Sequence, residues 1–444
     1  VRALLIPSAL QVKRAVFAAV AVLLLQPIFA FSTAFVRLHT DLASVRAHIV
    51  QGYRDGLVSA DERPRSLIDR YGHQFTECTA LLLSIDDEPN ILRSALFPHL
   101  HSKFIAPCAE LERSAAGVET AERTDYSRYW HGYRLYIWPL LDSFSLRTMR
   151  TLNALLLVAA GVLFFSGLRM AVGLSAAIIF SAVLFSLTDI WRMWNITPHA
   201  LSTIIILAGT GLFARLHIKR RSPAFDMIFA AIFGAIFCFA DFLINPPLAP
   251  MLLAFIVTAV QAQTTASLDK QRVLEILASA ALIAASWFGG YALTWISKWV
   301  ITVLFSGDGQ ATWQTISNQI LLRLYGQEID AVSYNIPLVP TLTVLIQSFL
   351  SVGSIVVALI AAAIGLQVWK NRTSFDLVRF FLLSSPTLIA VLWFELLSNH
   401  TQTHVHFTYR SESAAIAIVL TAALMTSASR ITVGELMREL RKAV

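Results

Sequence analysis

Three stretches of the chain carry residue types that could do chemistry. The densest is residues 399–410, which run Asn399, His400, Thr401, Gln402, Thr403, His404, Val405, His406, Phe407, Thr408, Tyr409, Arg410. His400 and His404 are four apart, so a helix puts them on one face. His404 and His406 share a face only in a strand. The residue types fit a polar pocket for an anionic head group, with Arg410 contacting phosphate through paired hydrogen bonds. A metal site would need three or four ligands at fixed geometry, and no HExxH-type spacing is present. Ordinary interfacial polar residues are the remaining alternative.

The second stretch, residues 125–134, contains Arg128, Tyr129, Trp130, His131, Gly132 and Arg134. An aromatic belt at a membrane surface accounts for Tyr129, Trp130 and Trp138. It does not require His131, Gly132 or paired arginines. Aromatic faces also stack on sugar rings, and Arg128 or Arg134 could hold phosphate. Both readings stay open.

The third set is acidic. A transferase acting on a hydroxyl wants a carboxylate base near the reacting oxygen. Asp41, Glu77, Asp189 and Asp241 are the candidates, with Asp41 or Glu77 expected as the base. Taken singly, each reads as a solvated carboxylate or a helix cap. As a set on one membrane face they favour a site. Cys78 and Cys108 share the same long polar segment, and a disulfide between them is expected if that segment is outside the cell. Cys238 lies in an apolar run and reads as a packed thiol.

These residues must be positioned by membrane helices. The 444 residues are 56% hydrophobic and 14% charged, against roughly a quarter charged in soluble domains. Apolar runs cover 15–35, 152–168, 171–187, 201–213, 227–239, 248–260, 276–295, 342–368, 377–397 and 414–425. With flanking residues each can span a bilayer, which takes about 20 residues. The run at 15–35 is too long for a typical signal-peptide core and is expected to stay as the first span. Orientation follows from Lys and Arg. Arg2, Lys13 and Arg14, then Arg169, Arg215 to Arg221, Lys270 and Arg272, Lys370 and Arg372, and finally Arg430 to Lys442 all fall on one side if there are about ten spans. That side is expected to be the cytoplasm, with both termini inside.

The other side then receives 37–150, 189–199, 241–247, 297–340 (with Trp299, Trp313 and Tyr325) and 399–410. Of the 11 histidines only His217 falls elsewhere. Helix-like spacing at 41–52 and 63–85, and a helix start at 86–90, make the first loop a small, mostly helical cap. The expected fold is an all-α polytopic transmembrane bundle: 1–36 is the N-terminus and first span, 37–150 the extracytoplasmic cap, 151–429 the bundle and 430–444 the cytoplasmic tail. The net charge of +7 is dispersed to helix ends, with no basic stripe interleaved with aromatics, so nucleic acid is not an expected partner. No P-loop or Gly-rich dinucleotide turn is present.

This layout resembles the GT-C superfamily of glycosyltransferases, polytopic proteins with a long first outside loop carrying an acidic catalytic residue. Residues 128–133 and 399–410 also look like segments of uncharacterised bacterial membrane proteins, some of them linked to surface polysaccharide. The DxD or DD found near the first span in that superfamily is absent: Asp41 stands alone, and Asp86 and Asp87 lie far along the loop. The resemblance implies a polyprenyl-phosphate-linked sugar as donor, a cell-envelope glycan or lipid as acceptor, the bilayer as partner and the bacterial inner membrane as location. Under it Asp41 or Glu77 is the base, Arg410, His400 and His404 hold the phosphate, and Tyr129, Trp130 and His131 line the sugar site. Asp189, Asp241 and Tyr409 complete the substrate-binding set. No cofactor is required, and a divalent cation stays open. A transporter or flippase, or a non-enzymatic envelope assembly partner, are the alternatives. Mostly apolar span interiors favour surface chemistry over transport.

Overall fold

The computed structural model describes residues 9–60, 74–86, 88–100, 106–118, 124–220, 222–241, 243–265, 267–326 and 336–427. The expected helical stretch over 63–73, Asp87, Arg221 and the basic residues after 427 lie outside them.

The protein is an all-α membrane protein, and the apolar runs become its long helices. They are α1 (Ala9–Leu38), α7 (Leu146–Val172), α8 (Leu174–Thr188), α9 (Thr197–Arg220), α10 (Pro223–Ala240), α11 (Leu248–Gln263) and α12 (Lys270–Phe305). In lipid the backbone must satisfy its own hydrogen bonds, which leaves such runs the helix as their solution. Starts are set by capping side chains: Ser145 accepts from Thr148 N at 3.3 Å and Asp269 from Arg272 N at 2.8 Å. Among the described residues six helical stretches are long and apolar enough to cross a membrane. A seventh crossing arises if α14 (Val339–Phe349) and α15 (Ser354–Lys370) count together. They do not form the straight span expected over 342–368, because the chain bends by 102° between them. α8 and α11 are shorter apolar helices. The 377–397 run is α16 (Leu377–Ser384) and α17 (Leu388–Leu396), joined by a single 3-10 turn. Last come α18 (Ser398–Thr403) and α19 (Val405–Thr426).

Glycines let two helix pairs meet backbone to backbone. A Cβ on Gly167 or Gly211 would strike the opposing backbone across the α7–α9 contact, and the same holds for Gly234 and Gly290 across α10–α12. Lipid offers no hydrophobic drive between helices, so small residues that permit close van der Waals contact hold such pairs.

Between α1 and α7 the chain forms short helices: α2 (Leu42–Arg54), α3 (Phe75–Ser84), α4 (Ile91–Leu96), α5 (Pro107–Ala115) and α6 (Arg134–Ser143). A two-residue antiparallel pairing joins β1 (His99–Leu100) to β2 (Thr124–Asp125). The helix start expected at 86–90 is present: Asn90 caps α4, accepting from Arg93 N at 3.0 Å. Buried basic side chains and an indole take up the carbonyls left open at the ends of α3 and α4. Arg134 donates to Ser94 O at 2.9 Å and Lys298 to Leu96 O, while Trp138 Nε1 reaches Ser84 O at 2.8 Å. Cys78 on α3 and Cys108 on α5 are disulfide-bonded, with Cα atoms 4.9 Å apart; Cys238 is a buried free thiol.

The disulfide closes a loop of 30 residues, which on the chain-entropy account restricts the unfolded segment by roughly 3–4 kcal/mol. Replacing Cys78 and Cys108 together by Ser should therefore raise hydrogen exchange in α3 and α5 well before α7 or α12. Equal protection of α3 and α5 in both proteins would remove the disulfide as their main tie.

Candidate functional site

A tight turn before α6 sets the first wall of the site. His131 sits in the left-handed region at φ 57°, an uncommon conformation for a non-glycine residue. Its ring holds it there: one nitrogen lies 2.8 Å from Tyr126 O and the other 3.0 Å from Tyr133 OH. The next residue is pressed onto the end of α10, where Gly132 N donates to Phe239 O at 2.8 Å. A Cβ on Gly132 would collide with Phe239. The turn thereby presents Tyr126, Arg128 and Tyr129 together. The Arg128 guanidinium carbon lies 4.0 Å from the Tyr126 ring centre and 5.2 Å from that of Tyr129, a cation–π arrangement.

The second wall is α13 (Gly309–Tyr325). Arg323 donates to the Tyr129 hydroxyl and to Gln319 O at 3.1 Å. The third wall is α18 with the start of α19. Asn399 Nδ2 donates to Leu322 O at 2.8 Å, tying this wall to α13. His400 and His404 stand one helical turn apart with ring centres 4.7 Å from each other, and Phe407 stacks on His404 at 5.1 Å.

These walls enclose a cavity of about 470 Å³, within the usual range for a small-molecule site. Its polar lining includes Arg128, Arg323, Tyr126, Tyr129, Asn399, His400, His404 and His406. Among the described residues no Asp or Glu lines it. Burial, then His404, Arg323 and His406, hold the His400 imidazole well below the usual histidine range, against a hydrogen bond to the Leu243 backbone. Burial and then Arg323 hold His404 down to about 4. Burial pushes the Tyr126 phenol up to about 12. Near neutral pH the neutral His400, His404 and Tyr126 side chains therefore stand beside the Arg128 and Arg323 guanidinium groups. His400 Nε2, Arg128 Nε and Arg323 Nε are buried there with no hydrogen-bond partner among the described residues. Such a lining suits an anion with several acceptor oxygens. Among the described residues no three His, Cys, Asp or Glu side chains are placed to hold a metal ion.

The residues singled out from sequence divide accordingly. Arg128, Tyr129, His400 and His404 meet in this one cavity although about 270 positions separate the two segments. His131 is fully buried beneath them and shapes the turn. Trp130 is packed with Phe29 and Phe239 and donates to Thr294 O at 3.0 Å. Tyr409 is buried, donating to Thr188 O at 3.1 Å. Arg410 is buried 3.0 Å from His199 Nδ1 and does not line the cavity. Asp189 accepts from Ser351 at 3.0 Å, and Asp241 accepts from Ser202 at 2.7 Å and from Ile244 N at 3.0 Å. Asp41 is exposed and caps α2, accepting from Ala43 N at 3.0 Å; those bonds, first from Ser44, hold its carboxyl below the usual range.

Glu77 is fully buried. It accepts from Thr197 N at 2.6 Å and from Thr197 Oγ1 at 3.0 Å, and so caps α9. Burial raises its carboxyl, against Arg150 and the Thr197 bonds. Its neighbours Phe75 and Thr76 line the cavity, but Glu77 does not.

Arg323 and Gln319 escaped the sequence reading. Thr312, Ile316, Gln319 and Arg323 recur at helical spacing within a segment that drew notice only for its aromatics, so an amphipathic pattern was the available signal.

Compared with known proteins, the chain matches no family model, no curated protein and no solved structure.

Two consequences can be measured. Glu77→Gln keeps the shape but sets an amide against two donors, and should cost about 1–3 kcal/mol of stability, read as an unfolding midpoint. Ligand binding by the folded fraction should be unchanged. Second, His404 favours its neutral form on folding. Above about pH 6.5 neither state is charged. As pH falls toward 4 the unfolded chain takes up the proton first, so stability falls. His404→Gln should flatten that part of the stability profile, and an unchanged slope would assign the titration to another group.

Proposed function

We propose that the cavity takes the phosphate-bearing head of a lipid-linked sugar, and that the protein is a glycosyltransferase acting on the extracytoplasmic face of a bacterial inner membrane. The observation that carries the reading is the cavity's charge: Arg128 and Arg323 stand among histidines and tyrosines with no lining carboxylate among the described residues. Phosphate is the common biological anion that a planar guanidinium binds through two parallel hydrogen bonds. Tyr126, Tyr129 and Phe407 offer ring faces to a sugar.

In this reading the two arginines stabilise the departing lipid phosphate as the bond from the anomeric carbon to phosphate oxygen breaks. The acceptor hydroxyl oxygen forms the new bond to that carbon. His404 receives the proton, in preference to Asp41 and Glu77, which lie outside the cavity. With its pKa near 4 its basicity matches that of an ordinary carboxylate, and as a neutral group it does not repel an anionic donor. The topology that goes with this function has about ten spans, both termini in the cytoplasm and α2–α6 as the outside cap. The one-sided Lys and Arg distribution supports it.

A lining without a carboxylate among the described residues also suits a second reading, in which the protein binds or moves the lipid-linked sugar without transferring it. The two separate experimentally. Protein in nanodiscs containing a long-chain polyprenyl phosphate should bind it, and Arg323→Gln or Arg128→Gln should weaken binding roughly 10–100-fold, as expected for loss of a charge-assisted hydrogen bond. Arg410→Lys should leave affinity unchanged. Radiolabelled lipid-linked sugars extracted from the source cells should then lose label to an acceptor only with active protein. Binding without any transfer would select the second reading, and no binding would end both.

A further inference from the structure

α13 has two unlike faces. Thr312 and Ile316 are buried, and one and two turns further on Gln319 and Arg323 line the cavity. Away from that face Trp313, Leu321 and Tyr325 are each more than half exposed, with Gln314 and Asn318 exposed between them. The helix is not among the candidate membrane spans. Its place in the chain supplies the reason for the exposed apolar side. α12 is a candidate span whose exposed residues Ile296, Val300, Leu304 and Phe305 continue to its last turn. α13 begins at Gly309, only a few residues beyond that lipid-facing surface. The N-terminal end of α13 thus adjoins apolar surface that a bilayer would cover. Its C-terminal end is also pinned, by Asn399 to Leu322 O and by Arg323 to Tyr129.

We infer that α13 lies along the membrane surface, with Trp313, Leu321 and Tyr325 seated in the lipid interface and Arg323 turned to the cavity, so that the cavity receives a phosphate-bearing lipid directly from that leaflet. The occupant of the exposed side is the lipid surface itself. Tryptophan and tyrosine favour headgroup depth because one edge is apolar and the other polar, and a helix with one apolar side rests in that plane. Phosphate groups of the same leaflet lie at that depth. Arg323 therefore stands where a lipid phosphate can reach it without its chain leaving the bilayer. The ligand half of the inference rests on the phosphate reading of the cavity, whereas the seating of α13 does not.

Nitroxide labels on Trp313→Cys, Leu321→Cys and Tyr325→Cys, in full-length protein in nanodiscs, test the seating. Each should collide with oxygen more than with a water-soluble nickel chelate. Labels at Thr315 and at Gln51 on α2 should show the reverse. Preferential nickel access at all three α13 positions would overturn the inference. The second measurement compares a long-chain polyprenyl phosphate in the nanodisc with inorganic phosphate in the buffer. The bilayer-borne ligand should raise the unfolding temperature of the wild type and not of Arg323→Gln, and inorganic phosphate at equal total concentration should raise it far less. An equal effect of inorganic phosphate would overturn delivery from the bilayer while sparing the phosphate site. No effect of either would count against the phosphate site and the ligand half together, leaving the seating of α13 to be decided by the labels.

Discussion

The first N–H of a helix that starts inside the molecule has no carbonyl of its own helix to meet, and burial denies it water. α9 starts in that position. The Glu77 carboxylate, brought by α3 from far earlier in the chain, accepts from Thr197 N and from its hydroxyl. The Thr197 hydroxyl in turn accepts from Asn153 of α7, and Asn153 accepts from Tyr136 of α6. One buried carboxylate therefore ties the short-helix segment to two long helices. The disulfide holds α3 beside α5, which fixes where Glu77 can reach.

The same constraint recurs around the site. Asp241 and Ser202 join α9 to the turn after α10, Ser351 meets Asp189 beyond α8, and Ser411 of α19 donates to Asn245 at 2.8 Å. Each polar group is costly when buried alone and nearly neutral when paired. Pairing makes Glu77, Asp189 and Asp241 structural acceptors. Among the described residues the cavity is lined by arginines, imidazoles and phenols, and its cationic character follows from where these acids went as much as from where the arginines are.

The arginines stay available because their companions are aromatic. Tyr126 and Tyr129 attract the Arg128 guanidinium through ring faces, and Arg323 meets a tyrosine hydroxyl. Neither contact neutralises the charge. A carboxylate in place of Tyr129 would form an ion pair and compete with any anionic ligand. His131 supports this from below without touching the cavity: its two ring bonds hold a left-handed backbone that turns Arg128 and Tyr129 the same way.

The all-helical membrane character was legible in the sequence, because 20-residue apolar runs admit one backbone solution in lipid. The disulfide partners were legible from shared location in one polar segment. So were four lining residues, Arg128, Tyr129, His400 and His404, because polar clusters beside apolar spans are unusual. Local pattern could not tell a carboxylate that caps from one that faces a ligand: Asp41, Glu77, Asp189 and Asp241 look alike in sequence. Asp41 caps its own helix through Ala43 and Ser44, whereas Thr197 for Glu77 and Ser351 for Asp189 stand far away along the chain. Arg410 was a similar case, drawn out of the cavity by His199 on another helix, whereas Arg323, unremarkable on an amphipathic helix, was brought into it by Tyr129. Helix formation depends on nearest neighbours and was readable residue by residue. Which polar group meets which depends on how the helices pack, and only the tertiary structure decided it.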